Sequence, residues 1–189
     1  MSDYLYVIVA AIIWQNIVLS ALLGLTPFLT EARASLRNSL VIGLLTTVML
    51  ALAIAIVRTV DAVVLDPAGA GALVYLVHAV VVLALAAAVF SIRNRVSCPY
   101  VTPAVARAAG FETALIGLAL IAAANAGNVG AAVVEAIGVG LGFTVVLLIV
   151  EGIRERLEWL KPASWLAGVP IQLITLGILA LVFSGFQGI

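Results

Sequence analysis

NSLVIGLLTTVMLALAIAIV, residues 38–57, runs for twenty positions without a charge. About 20 apolar residues in an α-helix cross the ~30 Å hydrocarbon core of a bilayer. Arg37 precedes the stretch and Arg58 follows it, so cations mark both ends. The rest of the chain repeats the pattern. Of 189 residues, 65% are hydrophobic and only 9 basic and 9 acidic groups are present. Average globular chains are about half apolar and a quarter charged, and the mean hydropathy here is +1.31. A soluble domain of this composition could not cover its own surface with polar groups. These figures exclude a soluble enzyme, a disordered chain and a secreted disulfide scaffold. A net charge of zero leaves no basic stripe for nucleic acid. A single cysteine, Cys98, makes no internal disulfide and holds no metal cluster alone. The fold class is all-α integral membrane, with lipid as its first partner.

Five further spans follow. The first lies in the uncharged run Tyr4 to Thr30. Asp3 is the only charge ahead of it, so it reads as a retained helix and not a signal peptide. The third lies within Pro67 to Ile92 and begins near Leu73. The fourth covers about Ala104 to Ala124, with Glu112 inside it. The fifth covers about Val133 to Ile153, bracketed by Glu135 and Glu151. The sixth lies within Pro162 to Ile189 and begins near Trp165. Six spans put both termini on one side. Arg33, Arg37, Arg93, Arg95, Arg107, Arg154, Arg156 and Lys161 fall in the connections on one face, against Arg58 on the other. The positive-inside bias then places both termini outside a cell (inner) membrane.

Spans two and five match at a shift of 97 residues. Gly43, Leu44, Thr47, Val48, Leu50 and Ile56 fall on Gly140, Leu141, Thr144, Val145, Leu147 and Ile153. Three spans per half is an odd number, so related halves lie inverted in the membrane. The expected architecture is a single membrane domain, 1–189, built as a 3+3 inverted repeat with halves of about 1–95 and 96–189. Such repeats place their sites near the midplane, at broken helices. Helix one is expected to break at Gly24-Leu25-Thr26-Pro27, where Pro27 removes a donor and disfavours helix at Thr26. Helix four is expected to break around Gly110 to Thr113.

Polar residues in the apolar field are the candidate site. Gln15 and Asn16 lie inside span one, and amides there must face protein. Glu112 is a carboxyl well inside a span, which is expensive unless it meets a cavity or a partner. It reads as a proton or cation relay, as an anchor for a partner subunit, or as a group hydrogen-bonded to backbone freed at a helix break. Glu135 and Glu151 are 16 residues apart, about 24 Å along a helix, and are expected near opposite interfaces. His78 stands alone in span three, with no second ligand at metal spacing. Gly138, Gly140 and Gly142 suit close helix packing, not a nucleotide loop. Arg154-Glu155-Arg156, with Glu158 and Lys161, reads as a solvated helix end or as a dock for a cytoplasmic subunit. No nucleophile pair, triad or phosphate loop is present, so no catalytic residue is assigned.

Three stretches carry a family resemblance: WQNIVLSALLGLTPF (Trp14 to Phe28), the segment Gly140 to Leu157 ending in GIRERL, and IQLITLGILALVFSGFQG (Ile171 to Gly188). Together the chain resembles the small six-helix subunits of the Rnf and Nqr membrane electron-transport complexes, of the RnfA/NqrE type. The resemblance implies an inverted paralogous partner of the RnfE/NqrD type, with flavin and iron–sulfur subunits nearby. It also implies one [2Fe–2S] cluster shared by the pair at the midplane, each subunit giving a cysteine from a GLCPF-like motif and one from an NCAxxG-like motif. This sequence departs at both positions. GLTPF has Thr26 at the first, and ETALIG has Thr113 at the second, with Glu112 before it. Iron–sulfur clusters are held by thiolates, and a hydroxyl is a poor replacement. The chain is therefore expected to bind no cofactor by itself.

Three readings remain open at this point, the third being an assembly subunit with no site of its own. The first is a non-catalytic subunit of an ion-translocating electron-transport complex, serving as scaffold or ion path. The second is a stand-alone transporter or channel for a small ion or solute, working as a dimer of itself, with Gln15, Asn16, Thr26, Glu112 and Thr113 around the midplane.

Overall fold

The computed structural model describes residues 16, 19, 35–65, 67, 69, 73–95, 105, 108–109, 129–160 and 162–186. Four long helices carry the described part: α1 (Leu36–Val60), α2 (Val74–Arg95), α3 (Val129–Trp159) and α4 (Val169–Phe186). Among the described residues there is no strand. Segments Leu36–Leu65, Val74–Ser91 and Val129–Leu157 are each long and apolar enough to cross a membrane, and Val169–Gly185 is a shorter apolar helix.

Helix α1 starts where its cap dictates. Ser35 is extended, and its hydroxyl accepts from the Asn38 backbone N–H at 3.2 Å, satisfying a donor that the first turn leaves open. At its far end α1 does not stop but widens into a π turn, Asp61–Leu65. Pro67 lies two residues beyond and can neither donate a helical bond nor tolerate helix before it. Helix α3 has 31 residues, about 46 Å, so it outruns the hydrocarbon. Its surplus is the Arg154–Trp159 end, where Glu155, Arg156 and Trp159 are exposed. Helix α4 begins at Val169, four residues later than Trp165. The reason is local: Gly168 takes φ +84° to turn the chain, and Pro170 occupies the first helical turn, where it has no bond to lose. Trp165 sits in the turn before it, 78% exposed.

The core is built around the α1–α3 pair. Ile42, Met49, Leu50, Ile54, Phe143, Val146 and Leu147 pack there, joined by Leu176 and Leu179 of α4 and Val82 of α2. Leu19, from span one, and Val105, Ala108 and Ala109, from span four, belong to the same cluster. The opposite side of α1 shows Leu40, Leu44, Val48, Leu52 and Ile56 exposed, an apolar row suited to lipid. Lipid chains are as apolar as these side chains, so burial from water does not hold α1 to α3; close packing does.

The helix breaks expected at Gly24–Pro27 and Gly110–Thr113 lie outside the described residues. So do Gln15, Thr26, Glu112, Thr113 and Cys98.

Candidate functional site

The two helices that match at a shift of 97 residues touch at their matched positions. Thr47 Oγ1 lies 3.4 Å from Thr144 Oγ1. Each hydroxyl already donates to the carbonyl four residues back: Thr47 to Gly43 and Thr144 to Gly140, both at 2.8 Å. The contact between them is thus an approach of two acceptor oxygens, which bond to each other only when one releases its carbonyl. Beside each threonine lies the other helix's glycine. A Cβ built on Gly43 would come within 2.6 Å of Thr144, and one on Gly140 within 2.7 Å of Thr47. The arrangement is reciprocal, glycine against threonine and threonine against glycine. As numbers rise from Gly43 to Thr47 they fall from Thr144 to Gly140, so the helices run antiparallel. Thr47 is the twelfth of 25 residues in α1 and Thr144 the sixteenth of 31 in α3, so the contact sits at mid-helix in both.

Antiparallel packing sorts the charges. Arg37 at the start of α1 and Arg154 near the end of α3 share one end of the pair. Arg58, at the end of α1, is at the other. Glu151 falls near the first end, as its spacing predicts, yet it is buried, 2% exposed, with Arg154 Nη1 at 3.8 Å. Glu135 is half-buried toward the other end. Of the polar residues singled out in span one, Asn16 is buried at 3% exposure, and Leu19 N–H donates to its carbonyl at 3.2 Å.

Two hydroxyls on α1 depart from the local pattern. Ser39 and Thr46 are fully buried, and neither Oγ has a hydrogen-bond partner among the described residues. Buried polar atoms without partners are uncommon.

A further cluster is not legible in the order of residues. His78, in the second turn of α2, is fully buried, and Asp61, in the π turn after α1, is 7% exposed. Nε2 of His78 is 2.9 Å from Oδ1 and 3.0 Å from Oδ2 of Asp61. Arg58 Nη1 stands 3.9 Å from Oδ2. In the sequence His78 stands alone and Asp61 is a charge in a connection. The pair spans 17 residues across a turn between helices, and a histidine facing an aspartate near a span end is the only signal that could have found it. Among the described residues no three His, Cys, Asp or Glu side chains gather as a metal site.

Known proteins resemble this chain over its full length. It is 33% identical to the A-type subunit of the Na(+)-translocating ferredoxin:NAD(+) oxidoreductase complex of Acetobacterium woodii, covering 97% of this chain and 96% of that one. It is 31% identical to the A-type subunit of the ion-translocating oxidoreductase complex of Rhodobacter capsulatus, over 100% of this chain and 98% of the relative. The corresponding protein of Cereibacter sphaeroides is 32% identical over the same shares. Residues 4–189 match the family described as "Rnf-Nqr subunit, membrane protein", and on that match the chain belongs to the Rnf-Nqr family of membrane subunits.

Proposed function

We propose that this chain is the A-type membrane subunit of an ion-translocating oxidoreductase complex, contributing scaffold and ion path but no iron–sulfur cluster of its own. The observation that carries the reading is likeness to A-type subunits over the whole chain, joined to hydroxyls at both positions where the family resemblance calls for thiolates. Thr26 and Thr113 do not make a donor set for iron, and the one cysteine, Cys98, lies outside both motifs. No electron step is therefore routed through this chain.

The architecture in this reading is six spans in two inverted halves, 1–95 and 96–189. The reciprocal Gly43/Thr144 and Gly140/Thr47 contacts support it, because a two-fold axis lying between α1 and α3 exchanges them. Arg37 and Arg154 at one end of the pair, with Arg58 at the other, support termini on the outer face of the inner membrane. The ion path runs by Glu112, with Gln15, Asn16, Thr26 and Thr113. Hydroxyl and amide oxygens suit hard cations, and a carboxyl at depth suits a proton or a cation. The burial of Asn16 and the hydroxyls of Ser39 and Thr46, which find no partner among the described residues, support a polar interior. The partners in this reading are an inverted paralogue of the RnfE/NqrD type and flavin and iron–sulfur subunits.

Purification in mild detergent tests the assignment. The chain should bring down a paralogous membrane protein together with flavin and iron–sulfur proteins, while iron and sulfide assigned to this chain alone stay far below stoichiometric. Recovery as a self-dimer with cation transport in vesicles would support a stand-alone transporter instead; loss of both thiolates is the observation that favours that second reading. A stoichiometric [2Fe–2S] spectrum from the isolated chain would overturn the cluster statement. Separately, Glu112→Gln keeps the side chain's size and removes its charge. Ion-coupled electron transfer by the complex is expected to fall tenfold or more, whereas an unchanged rate in the assembled complex removes Glu112 from the path.

A further inference from the structure

Serine and threonine hydroxyls within the described helices fold back on their own helix, with Ser39 and Thr46 as the exceptions. Thr47 donates to Gly43, Thr59 to Ala55, Ser91 to Ala87, Thr144 to Gly140, Thr175 to Ile171 and Ser184 to Leu181, at 2.7–2.8 Å. A helical hydroxyl has the carbonyl one turn back within reach, so this is its ordinary bond. Ser39 and Thr46 do not make it. Both are fully buried, and neither oxygen meets a partner among the described residues. A hydroxyl that forgoes the carbonyl of its own turn, deep in an apolar helix, is turned toward something beyond that helix.

The two sites are ordered along α1. Seven residues separate Ser39 from Thr46, so one stands above the other on a single face, about 10.5 Å apart along the axis. The reciprocal glycine–threonine contacts centre between Gly43 and Thr47. Thr46 is therefore level with the middle of the pair, and Ser39 lies about 9 Å from that level, toward the Arg37–Arg154 end. Beyond Thr46 the same face turns apolar: Met49, Leu50 and Ala53 are buried there. The inverted half lacks the feature. At a shift of 97, Ser39 and Thr46 fall on Ala136 and Phe143, both fully buried. The polar face thus covers half the depth of the bundle, and its mirror image is filled with carbon.

We infer that Ser39 and Thr46 are water-binding sites, and that water enters the bundle from the Arg37–Arg154 end as far as the middle and no further. Buried water settles on polar groups that the protein leaves unsatisfied, and a hydroxyl offers it one donor and two lone pairs. The carbonyl one turn back adds an acceptor at each site, Ser35 for Ser39 and Ile42 for Thr46. Ser35 already accepts the Ser39 backbone N–H, and a carbonyl oxygen has a second lone pair. The guest is water and not a bound cation. A hard cation gathers about six oxygens, and two hydroxyls this far apart cannot share one. Hydration of this face does not rest on the ion path proposed above: it and the role of Glu112 are read by separate experiments, and either can fail alone.

Cysteine substitution reads the hydration. Cys98 is the chain's only cysteine, so Cys98→Ala gives a thiol-free background. The full chain in lipid nanodiscs is exposed to Ag⁺, a thiol-binding ion small enough to follow water and too costly to enter a dry apolar core. Thiol left for alkylation after unfolding gives the rate. Ser39→Cys and Thr46→Cys are expected to react about 100-fold faster or more than Ala53→Cys and Ala136→Cys, whose positions are equally buried on the apolar halves. Three results would each overturn the inference. Ser39→Cys and Thr46→Cys could react as slowly as Ala53→Cys. Ser39→Cys could react alone, which stops the water short of the middle. Ala136→Cys could match Ser39→Cys, which makes the path two-sided. If a cysteine variant does not fold, the unsubstituted chain decides the matter: NMR magnetisation transfer from bound water to the Thr46 methyl is expected, and its absence overturns the inference.

Discussion

Gly140→Ala is expected to be among the most damaging single-methyl additions in the chain. The new Cβ would come within 2.7 Å of Thr47 Cα, a backbone atom. A side chain can rotate away from such a contact; a backbone cannot, so α1 and α3 must separate. Overpacking costs typically about 1–3 kcal/mol, and a contact against backbone belongs at the upper end of that range. Gly43→Ala provides the comparison. The three atoms nearest its Cβ all belong to the Thr144 side chain. Gly43→Ala is therefore expected to be rescued in large part by Thr144→Gly, whereas Thr47→Gly leaves Gly140→Ala still impaired. Unfolding in bicelles or nanodiscs, read as a shift in midpoint, checks both pairs. Equal rescue in the two pairs would show that backbone does not limit the approach at Gly140.

Asp61→Leu is expected to cost about 3–5 kcal/mol, the range for removing one partner of a buried ion pair. It takes the acceptor from His78 Nε2 and the carboxylate from Arg58 at once. Asp61→Asn keeps shape and one acceptor oxygen, so its loss should be smaller. His78→Phe should be milder still, because it removes a ring that already carries one unpartnered nitrogen and leaves Asp61 beside Arg58. The double variant Asp61→Leu/His78→Phe is expected to recover part of the loss, and the cycle measures the coupling between the two residues. Thermal unfolding of all four proteins in the same lipid is the measurement. If Asp61→Leu is no more damaging than His78→Phe, the pair is not the buried contact described above.

These two sites differ in how far the order of residues reveals them. The contact at Gly140 is visible in advance. A shift of 97 lays Gly43 on Gly140 and Thr47 on Thr144, and glycines inside an apolar span already suggest close packing. What the shift cannot say is that each glycine faces the other helix's threonine. That depends on which faces of the two antiparallel helices meet, which the shift does not say. The Asp61–His78 pair is not visible. Asp61 falls just past an apolar run, where charges are ordinarily solvated, and His78 has no acidic residue within its own helix. The π turn carries Asp61 inward, and the return of the chain along α2 brings His78 to it. Glu151 illustrates the same gap: its position along the axis follows from helical rise, but its burial beside Arg154 depends on which helices cover that end.

The sequence by itself determined that this chain has helices apolar enough to cross a membrane, where the four described helices lie to within a few residues, and that it resembles the Rnf and Nqr subunits. Those properties come from runs of apolar residues, caps and spacings, which act over a few helical turns. Only the tertiary structure decided which polar groups share a neighbour. In lipid, apolar faces do not choose partners by exclusion from water, so the choice falls to shape, as at the glycine–threonine contact, and to buried polar atoms, as at Asp61 and His78. Both are properties of side chains from distant segments, and neither exists until the helices have met.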